Sequence, residues 1–335
     1  MKYWFRRWNV WLLAILVCVA VVACNSNLSQ SGNSQSNSSQ GVDNISSDCC
    51  VIQHDGGETE VCGQPQKVVA LSPPLLDILL SLGVQPAGYA EVELLNQKVF
   101  DNPAQQIPFL GDRVTSQPVN LGSRDSPSLE TLLTLNPDLI LGEKFSVEAN
   151  YNQFSAIAPT AYFETTGEEG WKPILQAIAA GLNRQDKAQQ VLDAHNRHIE
   201  ATRQKIAPLV AGQTIIVLGW QSIANQSFVL ERGFVTNLLE DLGFQVIVAS
   251  SDETALSMES VAGLDADHIL IMPTGDNTIE RAKQQWETHP ILRSIPAVQA
   301  GNLYFMDYQL ARIRGPIAAE IFIHEFTSLL TQTQT

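Results

Sequence analysis

From Lys67 onward, apolar residues alternate between helical stripes and short continuous runs. Ser126–Gly142, SPSLETLLTLNPDLILG, holds one of each. Ser126 or Ser128 can cap a helix whose stripe is Leu129, Leu132, Leu133 and Leu135, and Asn136-Pro137 ends it. Asp138-Leu-Ile-Leu-Gly142 follows as an apolar run bounded by Pro and Gly, which reads as a strand buried on both faces of a parallel sheet. Lys67-Val-Val-Ala-Leu71 predicts a strand, Ser72-Pro73-Pro74 a helix start and LLDILLSLG a helix stopped by Gly83; the next strand enters near Ala87-Gly88-Tyr89. Glu91 to Gly122 reads as a long polar loop of the functional kind, and Ala158–Phe163 as another strand. Trp171 to Ile206 is helical apart from a break at Gly181-Leu-Asn183. Its second part places Ala188, Leu192, His195, Ile199, Thr202 and Ile206 on one face, as expected of a long helix crossing between lobes.

The pattern then starts again. Thr214–Leu218 is a strand, Gly233–Gly243 a helix closing on Leu-Gly as the first one does, Leu303–Met306 a strand, and a last helix follows Pro316. Shifting the chain by 129 positions lays SLETLLTLNPDLIL, 128 to 141, over SMESVAGLDADHIL, 257 to 270, with six of fourteen residues identical; Glu130 falls on Glu259. These elements predict an α/β protein: two α/β lobes, each with a central mainly parallel sheet, over 67–170 and 211–335, joined by a helical segment over 171–210.

The first 48 residues belong to neither lobe. Lys2, Arg6 and Arg7 precede the apolar run Val10–Val22, and Val21-Val22-Ala23-Cys24 resembles a bacterial lipoprotein cleavage box. Residues 1–23 therefore read as a signal peptide and Cys24 as the lipidated first residue of an exported protein. A transmembrane anchor is the competing reading, and the run is short for a full span. Such a lipid would hold the protein on the periplasmic side of a membrane, or on the outer face of a cell with one membrane. Residues 24–48, nearly all Ser, Asn, Gln and Gly, are expected to form a flexible tether reaching roughly 25–30 Å.

Charge narrows the partners. Losing three basic residues and no acidic ones leaves 17 Lys and Arg against 35 Asp and Glu, or −18, which argues against nucleic acid or an anionic membrane surface. Export makes Cys49, Cys50 and Cys62 candidates for a disulfide across the hairpin VIQHDGGETEV, residues 51–61. A three-residue turn, Asp55-Gly56-Gly57, sets Val51 against Val61 and Cys50 against Cys62; a two-residue turn sets Cys49 against Cys62 but Val51 against Glu60. Pairing like with like favours Cys50–Cys62 within a hairpin unit of 49–66. A metal site is disfavoured there, since His54 is the other soft ligand nearby and there is no CxxC.

Catalytic motifs are missing. There is no GxGxxG after the first strand, and no GxxxxGK[ST], GxSxG or HExxH. His195 and His198 are three apart, but His195 lies on the apolar stripe, which favours packing over metal ligation. An exported hydrolase or chelatase is thus disfavoured, and neither an enzymatic activity nor a cofactor is expected.

Four blocks carry a resemblance: KVVALSPPLLDILLSLGVQPAGYA, GSRDSPSLETLLTLNPDLILG, LSMESVAGLDADHILI and HPILRSIPAVQAGNLYFMD. Together, over about Lys67 to Leu330, the chain resembles the iron-siderophore and cobalamin type of periplasmic solute-binding protein that serves an ABC importer. The resemblance implies two lobes on one rigid helix, a ferric siderophore as ligand, a dimeric permease as partner, a monomeric protein and no catalysis. Glu130 and Glu259 match the glutamates that family members present to the permease. Gly122-Ser-Arg124-Asp-Ser-Pro-Ser-Leu-Glu130 has the form GxRxxPxLE, in which the arginine contacts ligand in ferric-hydroxamate members. The aromatic set of hydroxamate binders is not evident in Ser250–Leu256. For a carboxylate-bearing ferric complex, Arg113, Arg124, Arg232, Arg312 and Arg314 are the candidate contacts, with Tyr89, Phe145, Trp220, Tyr304 and Tyr308 as walls. Cobalamin or haem is the alternative ligand.

Overall fold

The structure, a computed structural model, describes residues 49–332 apart from 92–96, 222–225, 249–254, 258–259, 262, 264 and 276. The expected signal peptide, Cys24, the tether and Glu259 lie outside the described residues.

The chain opens with an antiparallel hairpin, β1 (Cys49–His54) and β2 (Gly57–Cys62). Its turn is the two-residue Asp55-Gly56, so the disulfide joins Cys49 to Cys62 and Cys50 is a free thiol, correcting the expected Cys50–Cys62 pair. Packing against the first lobe decides this register. Ile52, Thr59 and Val61 are buried, while Val51 is 41% exposed opposite Glu60. Ile52 sits so close to Gly181 that a Cβ there would lie 2.0 Å from its Cγ1. The Thr59 hydroxyl donates to the Thr160 carbonyl at 2.7 Å, and the Asp55 N–H to that of Tyr162 at 3.1 Å. A one-residue slip would turn Ile52 out to solvent.

The first lobe is built on β3 (Val68–Ala70), β4 (Gly88–Glu91), β5 (Val119–Ser123), β6 (Ser126–Pro127), β7 (Leu139–Glu143) and β8 (Thr160–Phe163), in the order β6-β5-β4-β3-β7-β8. All pairings are parallel except β5–β6. β5 lies inside the stretch expected to be loop. Leu121 is the one fully buried residue of VNLGS, too short a signal to read as a strand before β4 pairs with it.

The second sheet comprises β9 (Thr214–Gln221), β10 (Gln226–Val229), β11 (Gln245–Ile247), β12 (Ala255–Leu256), β13 (His268–Thr274) and β14 (Leu303–Phe305). Its order is β12-β10-β9-β13-β14, with β11 beside the start of β9; β10 and β12 are antiparallel to their neighbours. In both sheets the central strands are apolar on both faces because both faces are covered. Leu139 and Leu141 join one core and Ile140 another; Leu270 and Met272 join one, Ile269 and Ile271 another.

Helix Gln185–Val210, 26 residues and about 39 Å long, connects the lobes. Ala188, Leu192, His195, Thr202, Ile206 and Val210 form its buried face. Together with helices Pro73–Ser81, Trp171–Gly181 and Pro316–Gln332 it closes one continuous core reaching from Val68 and Leu139 to Ile215 and Leu270. The lobes thus share a core at one side, and the carboxyl ends of β4 and β7 bring Glu91 and Glu143 to the opposing surfaces.

Candidate functional site

Glu143 ends β7 and is 1% exposed. Its Oε1 accepts from Arg314 Nη2 at 2.8 Å and from the Thr165 hydroxyl in a short contact, and Arg314 Nη2 also donates to Thr165 Oγ1 at 3.0 Å. Its Oε2 accepts from Arg124 Nη1 at 3.5 Å. Glu91, at the end of β4, pairs with Arg312 Nη2 at 2.6 Å and lies 4.0 Å from Arg124 Nε. Three guanidinium groups, one from the first lobe and two from the second, therefore meet over the buried Glu143 and the half-buried Glu91, and Arg124 Nε also lies 3.7 Å from the exposed Asp125 carboxylate. Arg124 also lies 5.3 Å above the ring of Phe145, an apolar side chain left 57% exposed beside the cluster.

Local structure explains the aim of these groups. Arg124 sits in the tight turn between β5 and β6. Arg312 is in helix Gln309–Ile313, which Arg314 ends in the left-handed region at φ 52°. Gly315 follows, pressed against Asp77 so that a Cβ would lie 2.2 Å from its Cγ. Asp77, fully buried in helix Pro73–Ser81, accepts the N–H groups of Ile317 and Ala318 at 2.9 Å each, capping the last helix from the other lobe. The segment carrying two arginines is thereby pinned to the first lobe from behind.

Burial controls the electrostatics. It raises the Glu91 carboxyl, against the pull of Arg312 and Arg124, and lowers Arg314, against the support of Glu143. Tyr89, buried beneath the cluster, is pushed well up by burial and then by Glu91. Asp77 is pushed up to about 7 because burial outweighs its two backbone hydrogen bonds. Three carboxylates, Glu91, Glu143 and Asp125, face the three guanidinium groups, so the cluster is close to charge balance before a ligand arrives.

Two cavities flank the cluster. One of about 500 Å³ is lined by Arg314, Arg232, Tyr308, Thr166, Phe228 and Phe234. Another of about 610 Å³ is lined by Arg312, Tyr308, Gln309, Asn277 and Asp307. Tyr308 belongs to both. Arg232 reaches the first cavity while paired with Glu240 at 2.9 Å.

Four expected contacts lie elsewhere. Tyr89 is 2% exposed and packs into the core against Phe100 instead of forming a wall. Arg113 pairs with Glu320 at 3.7 Å and lines a separate groove with Lys187 and His198 on the inter-lobe helix, sharing no lining residue with the two cavities. Trp220 is a core residue, 1% exposed, against Trp286 and donating to Gln285 Oε1 at 2.8 Å. Tyr304 is likewise 1% exposed, sharing a hydrogen bond with His268 Nδ1 at 3.1 Å beside Phe326. Both aromatics point into the layers covering the second sheet, which a strand-end position alone does not reveal. The acidic half of the cluster carries a weak sequence signal: Glu143 marks only the exit of an apolar strand, where ligand contacts gather, and Glu91 is only the first polar residue after Tyr89-Ala90.

Glu130 lies exposed in the first turn of helix Leu129–Leu135, where Ser128 Oγ caps the Thr131 N–H, and Leu133 beside it is 62% exposed.

A family model described as periplasmic binding protein matches residues 68–310. The chain belongs to that family. Among curated relatives of this binding protein is an Fe(3+)-citrate-binding protein of Bacillus subtilis, YfmC, 28% identical over 312 residues and covering 91% of each chain. A probable siderophore-binding lipoprotein of the same organism, YfiY, is 26% identical over 94% of each. Similar solved structures include Staphylococcus aureus SirA complexed with staphyloferrin B (TM-score 0.68, 22% identity, 84% of this chain and 98% of that one). FeuA of B. subtilis complexed with ferri-bacillibactin gives TM-score 0.68 at 20% identity, with the same coverage. These likenesses bear out the two-lobed α/β fold, and the family and its neighbours are solute-binding proteins.

Proposed function

We propose that this protein captures a ferric siderophore bearing carboxylate groups, of the ferric-citrate kind, and delivers it to an ABC importer. The observation that carries the reading is the convergence of Arg124, Arg312 and Arg314 from both lobes beside the two cavities. Guanidinium pairs carboxylates bidentately, and several of them suit an anionic chelate better than a neutral one. The relative named for Fe(3+)-citrate, alignable over most of the chain, supports the same ligand class. Arg232 and Tyr308 border the ligand, with Phe145 as an apolar wall.

The rest of the delivery chain follows the same reading. Cys24 carries the lipid, residues 24–48 tether the body, and Glu130 and Glu259 dock one lobe each onto the permease. Exposed Leu133 adds an apolar contact beside Glu130. Relatives named as lipoproteins support the anchor.

Calorimetric titration with ferric citrate, a ferric catecholate, a ferric hydroxamate, haem and cobalamin tests the ligand. Ferric citrate is expected to bind most tightly, and Arg124→Ala to weaken it about 100-fold or more. Binding of cobalamin or haem alone would sink the reading.

A further inference from the structure

A candidate site for an anion here contains a buried acid, Glu143. A glutamate there repels the ligand, and a buried ion pair is by itself weak evidence of a stabilising role. Glu143 differs from an ordinary pair in what its oxygens hold. Oε2 faces Arg124 of the first lobe, and Oε1 faces Arg314 of the second with Thr165 beside it. Both arginines are mostly shielded, their side chains 21% and 16% exposed, so without a shared counter-charge they would repel each other. A guanidinium has five N–H donors, and Glu143 meets each of these groups through one terminal nitrogen. Arg314 Nη2 is shared with Thr165, and Arg124 Nε faces Asp125 and Glu91 at 3.7 and 4.0 Å, which leaves Nη2 of Arg124 and Nη1 of Arg314 without a partner among the described residues. Arg314 Nε is buried with no hydrogen-bond partner.

We infer that Glu143 is a positioning residue for ligand capture. It fixes the spacing of Arg124 and Arg314 across the lobe boundary before an anionic ferric chelate arrives to bridge them. The inference rests on the proposed ligand class. Preorganised donors bind better because less ordering is left for the binding step. Glu143 therefore helps an anion that its own charge opposes. Glu91 repeats the device more loosely, with Arg312 at 2.6 Å and Arg124 at 4.0 Å.

The test uses Glu143→Gln in the full chain, with spin labels at Leu133→Cys and Ile291→Cys, both exposed and one in each lobe, in a background where Cys18, Cys24 and Cys50 are each replaced by Ser. Without ligand, the inter-lobe distance distribution should be narrow with Glu143 and broad with Gln; saturating ferric citrate should narrow it again. Ferric citrate affinity should fall about 30-fold, the low end for losing one partner of a buried charge pair. If Glu143→Gln does not fold, Thr165→Val removes the hydroxyl shared by Glu143 and Arg314 and should give a loss of about threefold in the same direction. An unchanged distance distribution, or equal or tighter binding by Glu143→Gln, overturns the inference, tighter binding marking Glu143 as a competitor of the ligand. If wild type binds no ferric chelate, the ligand class fails instead, and the ligand-free distances still judge Glu143.

Discussion

The two repeated units, 128–143 in the first lobe and 257–272 in the second, share their scaffold residues and differ where the chemistry lies. Ser128 Oγ accepts the Thr131 N–H, and 129 positions on Ser257 Oγ accepts the Ser260 N–H. Asp138 accepts the N–H groups of Gln66 and Lys67 before β3, and Asp267 accepts the N–H and hydroxyl of Thr214 at the start of β9. The retained aspartates thus staple two adjacent parallel strands at their starts in each sheet, β3 to β7 and β9 to β13. At the strand ends the units part: Glu143 corresponds to Met272, fully buried in the core. At the strand starts, Leu139 corresponds to His268, which bonds Tyr304. A second echo behaves alike. Helices Pro73–Ser81 and Phe234–Asp241 close through the same three backbone bonds, ending on Gly83 and Gly243 at positive φ. Yet Asp77, buried across the lobe boundary, corresponds to Asn237, which donates to the Glu168 carbonyl at 2.8 Å. What is repeated builds a lobe; what is not repeated joins the lobes and forms the candidate site.

Substituting each residue by its counterpart tests that division. Glu143→Met should have the largest effect. It removes the carboxylate that Arg124 and Arg314 share, costing about 3 kcal/mol in denaturant unfolding, the low end for a broken buried pair because Arg124 keeps Glu91 and Asp125 and both arginines keep some solvent. It should also abolish measurable ferric citrate binding.

Asp77→Asn comes next, read as stability against pH. The folded carboxyl is raised to about 7, so between pH 4 and 7 the folded state holds more protons than the unfolded one, and this group's contribution weakens as pH rises. His195 acts oppositely. Burial, then Lys172, lowers it to about 4, so its contribution is lost as pH falls from 6.5 toward 4. Asp77→Asn should make the profile rise more steeply from pH 4 to 7, and His195→Gln should flatten the loss below 6.5. Unchanged melting profiles from pH 4 to 8 would contradict both assignments.

The shared residues should give matched, smaller effects. Asp138→Ala and Asp267→Ala each free two donors at a strand start and should cost about 1–2 kcal/mol apiece in urea unfolding. The Asp267 carboxyl is held low by its bonds to Thr214, so its contribution should vanish as pH falls below about 4. Ser128→Ala and Ser257→Ala should each cost about 1 kcal/mol or less, as lost helix caps. A cost confined to one lobe would break the comparison.

Much of the scaffold was legible because local rules govern it. Capping serines, Leu-Gly helix ends and doubly apolar strands each signal themselves within a few residues, and the 129-residue echo marks two lobes. The candidates Arg124, Arg312 and Arg314 stand out in the sequence by their places, one in a loop before a helix and two just before the start of the last helix. The acidic half of the site does not, because Glu91 and Glu143 resemble any glutamate after a strand until the second lobe brings Arg312 and Arg314 against them.

The sequence by itself determined the α/β alternation, the repeated units and the long inter-lobe helix, since periodicity and capping depend on near neighbours. Only the tertiary structure decided which cysteine pairs with Cys62, because Ile52 had to face Gly181. It also decided that Trp220 and Tyr304 fill cores rather than line a cleft, and that Arg113 faces another groove. Each of these depends on which distant surface lies opposite, and the order of residues along a chain does not state that.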